Sequence, residues 1–182
     1  MTAAAEKQLT RADLLHALEA VDKRALDGAS APGGNGSGAE ETYQDLPTPV
    51  LDIFHEDGRQ FDAIFAVNIG KTRDSIQQYR DGQITEARFK ELLKAKDEAS
   101  LAAVDARLDQ SREELADELT KYSSEVQQEG LRARSAETAA MGDALDKVSA
   151  QKSWTTMTPD EAEAWLRGVL KEYDDHMKRL FG

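Results

Sequence analysis

Between Ile84 and Ser149 the chain contains no proline, and large apolar residues recur along that stretch in steps of three and four. That pattern is the signature of long amphipathic helices. Phe89, Leu92, Leu93, Leu101, Val104, Leu108, Leu115, Leu119, Tyr122 and Val126 form one stripe, and such a stripe has to be covered. A single helix from Ile84 to Glu129 would span roughly 70 Å at 1.5 Å per residue, longer than the preceding helix could cover. Either the chain folds back on itself or a second copy completes the seam. Gly130 is the expected place for a fold-back or kink, since glycine is disfavoured within helices and favoured just past their ends. Leu131, Met141, Leu145 and Val148 continue the apolar face beyond it.

The flanks divide by composition. Thr10 and Asp13 read as a cap and first-turn acid for a short helix carrying Leu14, Leu15, Leu18, Val21 and Leu26. It ends at Asp27-Gly28, giving a first unit over residues 1–27. Residues 28–40 are rich in Gly, Ser and Ala. They read as a flexible linker, with a reach of roughly 20 Å for a Gly-rich coil. The first helix is therefore expected to be tethered. Residues 41–150 form the helical core, with either a long central helix or a helical hairpin.

Within that core, Val50 to Phe54 and Gln60 to Phe65 around Asp57-Gly58 allow a hairpin. The competing reading has Thr48 as N-cap and Pro49 at the first helical position, then a turn and a second helix. The helical reading is favoured, because Phe61, Ile64, Phe65, Ile69, Ile76 and Tyr79 share one helical face. Residues 151–182 hold a last amphipathic helix, opened by Thr158-Pro159-Asp160-Glu161 and lined by Ala162, Trp165, Leu166, Val169, Leu170, Tyr173, Met177 and Leu180. The expected fold is all-α: an elongated helical bundle or coiled coil with a tethered N-terminal helix and a capped C-terminal helix.

Charge narrows the function classes. The formal net charge is −12 over 182 residues, which argues against direct binding to a nucleic-acid backbone, where clustered Lys and Arg are needed. No apolar run approaches the roughly 20 residues of a membrane-spanning helix. There is no cysteine, so disulfides, thiolate nucleophiles and Cys-based zinc sites are excluded. The N-terminus lacks the apolar core of a secretory signal, so a cytoplasmic location, or one inside an assembly made there, is expected.

No motif carries a reaction. Gly34, Gly36 and Gly38 are followed by no Lys-Ser/Thr pair and preceded by no strand, so they do not form a phosphate loop. His16, His55 and His176 are far apart; only His176, four residues after Glu172, could share a metal on a helix face, and two ligands specify little. No cofactor, metal or catalytic residue is assigned. Two features could serve a protein partner. Asp105, Asp109, Glu113 and Asp117 recur every fourth residue and form an acidic row that a basic surface could relieve. Leu14, Leu18 and Val21 on the first helix, and Trp165, Leu166, Leu170 and Tyr173 on the last, are apolar faces that could dock on a partner or pack internally.

These features lead to the expectation of a non-enzymatic, oligomerising adaptor or scaffold-like assembly protein acting through contacts with protein partners, a second copy of itself among them. The alternatives are an acidic inhibitor that imitates a nucleic-acid backbone to occupy a basic groove and, less favoured, a metal-dependent enzyme built on Glu172 and His176.

Overall fold

The computed structural model describes residues 7–27 and 41–182; the linker expected over 28–40 lies outside the described residues. Local chemistry sets most helix starts. The Asp13 amide donates to the Thr10 hydroxyl while the Asp13 carboxylate accepts from the Thr10 amide, and this capping box opens α1 (Arg11–Leu26). Thr158 and Glu161 make the same reciprocal pair at the start of the last helix, Pro159–Phe181. Between them run α2 (Thr48–Arg80), α3 (Glu86–Leu119), capped by Thr85, and α4 (Ser124–Ala150), capped by Ser123. A 3-10 turn at Trp154–Thr156 leads into the last helix, α5. Among the described residues there are five α-helices and no strand.

Three expectations are corrected. Helix α2 is continuous through Asp57-Gly58, with no turn there, and Pro47 rather than Thr48 occupies its N-cap position without a side-chain cap bond. The Asp57 carboxylate is held by partners on α3, and those tertiary bonds override the local turn preference. The central stretch breaks at Thr120–Ser123, not at Gly130. Gly130 instead lies inside α4, where a Cβ would stand 2.9 Å from a methyl of Leu119; the glycine lets α4 approach the end of α3. Finally, α1 is packed into the bundle, with Leu14 and Leu18 fully buried.

Helix α2 runs opposite to both α3 and α5. Asp57 and Asn68 on α2 meet Arg107 and Ser100 on α3, and Gly82, at φ 72°, makes the left-handed turn between the two helices that only glycine adopts without strain. Tyr79 stacks on Phe89 across that turn, with ring centroids 4.7 Å apart. Helix α5 lies antiparallel on α2, with Arg73 near its start at Asp160, Tyr173 against Phe61 at 4.2 Å, and Phe181 stacked on Phe54 at 4.5 Å.

Helix α1 fills part of the furrow between α3 and α4. At its start, Gln8 donates to the carbonyls of Thr120 and Tyr122 and the Leu9 amide donates to Gln127. At its end, the Ala25 carbonyl lies beside Gly142. It therefore runs antiparallel to α3 and parallel to α4. The apolar stripe of α3 is covered inside one chain: Phe89, Leu93, Val104, Leu108, Leu115 and Leu119 are all buried. Leu101 is the exception at 44% exposed, because it lies where α1 stops.

Candidate functional site

Seven polar or charged side chains from four helices close on one another in the core: Asp22, Asp57, Arg107, Ser111, Arg134, Glu137 and Thr138. Arg134 makes a bidentate bond to Asp22, from Nε at 2.7 Å and Nη2 at 2.9 Å, and its Nη1 donates to Ser111 at 2.7 Å. Arg107 Nε donates to Asp57 at 2.8 Å, Ser111 donates to the other Asp57 oxygen at 2.7 Å, and Thr138 donates to Asp22 at 2.9 Å. Each charge is thus hydrogen-bonded as well as paired, which makes its burial tolerable.

Glu137 behaves differently. Its Oε2 has no hydrogen-bond partner as a carboxylate, and burial, followed by the neighbouring charge of Asp57, pushes its pKa well above the usual carboxylate range. A proton on Glu137 resolves both facts, because the protonated oxygen becomes a donor toward Asp57. The buried charges then balance, Asp22 and Asp57 against Arg107 and Arg134. Burial works against the charge on Arg134, but its bond to Asp22 and the surrounding carboxylates outweigh it and raise the pKa. This cluster is sealed: Asp57, Arg134 and Glu137 have no solvent exposure.

A third buried cation, Lys96, prepares the surface site. Lys96, 2% exposed, donates to Asn68 Oδ1 at 3.0 Å, pairs with Asp97 at 3.0 Å and sits 4.9 Å over the ring of Trp154. Burial lowers its pKa, and Asp97 opposes that shift. The cation-π contact and the edge-on packing of Trp165, 5.7 Å away, fix the Trp154 indole between the start of α5 and α3.

That indole forms one wall of an open cavity of about 670 Å³, within the range of ligand-sized pockets. Its apolar lining comes from Leu26, Phe89, Leu93, Leu101, Leu145 and Trp154. The cavity is the continuation of the furrow that α1 occupies, beginning at Leu26 where α1 ends and running toward the first turns of α3. From the far end toward α1 its charged lining residues run Lys90, Lys94, Asp97 and Glu98 along α3, and Lys152 then Asp146 on the α4 side, with Lys94 paired to Glu98 at 3.9 Å and Asp97 to buried Lys96 at 3.0 Å.

The residues singled out in the sequence are placed apart from this cavity. Leu14, Leu18, Leu166 and Tyr173 are buried, Trp165 and Leu170 are half-buried and pack on the same core, and Val21 is half-buried. In the acidic row, Glu113 and Asp117 are both paired with Arg11 of α1, Asp109 pairs with Arg112 at 2.9 Å, and Asp105 is exposed. The row is thus partly neutralised within the chain. Partial burial and then Asp109 raise the Asp105 pKa. Glu172 pairs with Lys147 at 2.9 Å, and His176 Nδ1 faces Arg179 at 3.5 Å. His55 Nε2 lies 3.3 Å from the Phe181 carbonyl, and His16 is exposed. Among the described residues no three His, Asp or Glu side chains converge as a metal-ligand set.

The ionic core had a signal in the sequence. Asp57 falls on the buried face of α2 with Phe54, Phe61 and Phe65, and Arg134 and Glu137 fall between Gly130 and Met141 on the buried face of α4. Charged residues in register with a core stripe mark buried partners. In comparison with known proteins, the chain matches no protein-family model, no curated protein and no solved structure.

Proposed function

We infer that this protein is a non-enzymatic helical adaptor that works by holding another protein in the furrow beside α1. The observation that carries this reading is the open apolar cavity between α3 and α4, walled by Phe89, Leu101, Leu145 and Trp154 and rimmed by charge. An apolar groove with a polar rim is the usual form of a helix-binding surface. Two groups with strongly shifted pKa values, Glu137 and Tyr173, are closed off from any substrate and do not compete with it as a reactive centre.

The apolar stripe of α3, which suggested an elongated or oligomeric coiled coil, is already covered by α1, α2 and α4, so the adaptor reading does not depend on self-association. No helix among the described residues is long and apolar enough to cross a membrane. Affinity capture from the native source tests the reading when wild type is compared with Leu101→Glu, a substitution at a partly exposed position. A partner held by wild type and lost from a folded Leu101→Glu protein supports the adaptor role. Identical partner sets from the two proteins would contradict it.

A further inference from the structure

We propose that the furrow takes a short amphipathic helix from a different protein, laid end to end with α1 and running in the same direction, with a basic first turn and an acidic last turn. This rests on the adaptor reading above and specifies the partner's chemistry.

The open furrow continues the one that α1 fills. Ala25 lies beside Gly142, and α4 runs on to Ala150, so roughly 12 Å of the α3–α4 furrow, some two helical turns at 1.5 Å per residue, is left open beyond Leu26. The two helices that already hold one amphipathic helix present the same kind of trough to a second. Leu101, with buried Leu93 beneath it, supplies the α3 side and Leu145 the α4 side.

A docked helix carries partial positive charge at its N-terminus and partial negative charge at its C-terminus. By their order along the walls, Glu98 and Asp146 lie nearer α1 and Lys90 and Lys152 farther from it, while Asp97 is already paired with buried Lys96 and Lys94 reaches Glu98 at 3.9 Å. Only a helix entering from the α1 end has its dipole matched at both ends. The ion pairs of Lys90 with Glu86 and Lys94 with Glu98 are long and exposed, at 3.4 and 3.9 Å. Such pairs are weak and leave the ammonium groups open to a partner's carboxylates.

This chain itself does not supply the occupant. Residues 28–40 contain no aromatic or branched aliphatic side chain to fill the cavity. The large exposed hydrophobics among the described residues are Val67 and Leu101. A second copy therefore has no apolar helical ridge to insert.

Fluorescence anisotropy with the full-length protein and two stapled peptides of about 9 residues tests the proposal. Both peptides carry the same leucine stripe; one has arginines in its first turn and glutamates in its last, and the other has these charges exchanged. The first peptide is expected to bind about tenfold more tightly in low salt, with the preference shrinking at high salt. Leu101→Glu should abolish binding of both without moving the melting midpoint, and Lys94→Glu with Lys152→Glu should erase the preference. Equal affinities, or a preference for the exchanged peptide, would overturn the stated direction while leaving helix docking intact. Binding of neither peptide would overturn helix docking, and with it the adaptor reading at this site. A dimer seen by light scattering and dispersed by Leu101→Glu would overturn the choice of occupant in favour of a second copy.

Discussion

Arg134 on α4 grips Asp22 on α1 with two hydrogen bonds, Nε to Oδ1 at 2.7 Å and Nη2 to Oδ2 at 2.9 Å, and neither side chain is more than 2% exposed. Through its Nη1, Arg134 also reaches Ser111 on α3 at 2.7 Å. The shortest helix of the bundle is thereby fixed to the two helices that form its trough. Its placement in that trough is set by this buried bond as much as by apolar packing.

Removing the guanidinium while keeping the volume leaves Asp22 without its bidentate partner and Asp57 with one fewer cation. Arg134→Met is expected to destabilise the fold by about 3–5 kcal/mol, the range for breaking a buried ion pair from one side. Denaturant unfolding followed by circular dichroism measures it. A loss below about 1 kcal/mol would mean the carboxylates find water when the arginine is gone.

Acid should favour this fold over part of its range. Burial, and then the facing Asp174, push the Asp62 pKa from 3.8 up to about 7. The folded state therefore holds more protons than the unfolded state between those values, and stability falls as pH rises from about 4 to 7. Glu137, raised by burial and by Asp57, acts in the same sense: its contribution is complete below its ordinary value of 4.5 and is lost as pH climbs through its raised folded value. Capping-box acids Asp13 and Glu161 are shifted down by their bonds to Thr10 and Thr158 and slope the other way. The comparison of wild type with Asp62→Asn cancels them. The variant is expected to gain relative to wild type as pH rises from 4 to 7, read from melting midpoints. A constant difference across that window would contradict the raised pKa.

Gly130→Ala sets helix propensity against packing. Alanine gains about 1 kcal/mol in a helix interior, but its Cβ would lie 2.9 and 3.0 Å from the two methyls of buried Leu119. Overpacking costs about 1–3 kcal/mol, so a net loss of about 1 kcal/mol is expected. Repeating the substitution in a Leu119→Ala background should turn the loss into a gain, and thermal melts of the four proteins decide the sign.

Two leucines of the same α3 stripe should respond differently. Leu115→Ala empties a fully buried site and is expected to cost about 2–5 kcal/mol. Leu101→Glu, at a position 44% exposed, should stay within about 0.5 kcal/mol of wild type. Equal losses at the two positions would mean that the furrow is closed in solution.

The sequence disclosed those parts of the structure that depend on neighbours in the chain. Thr10 with Asp13, Thr85, and Thr158 with Glu161 announce helix starts because capping is a bond over three residues. The continuous α2 was legible from Phe61 onward by its period, but Asp57-Gly58 was not, since its conformation is decided by Arg107 and Ser111, about fifty residues away. The fold-back at Thr120–Ser123 contains neither glycine nor proline; its one local mark is Ser123, whose hydroxyl caps α4. Gly130 misdirects because a glycine that permits close helix contact looks the same in sequence as one that ends a helix. The furrow could not be read at all: it exists because α1 is shorter than the trough that holds it, a relation among three separate elements.

The central claim is that the open half of the α3–α4 trough receives a helix. Methyl NMR of the full-length protein, titrated with the stapled peptide whose first turn is basic, tests it most directly. The account predicts saturable shifts at Leu26, Leu93, Leu101 and Leu145, with the methyls of Val67 on α2 unmoved. Unchanged furrow methyls at saturating peptide, or shifts confined to other faces of the bundle, would contradict it.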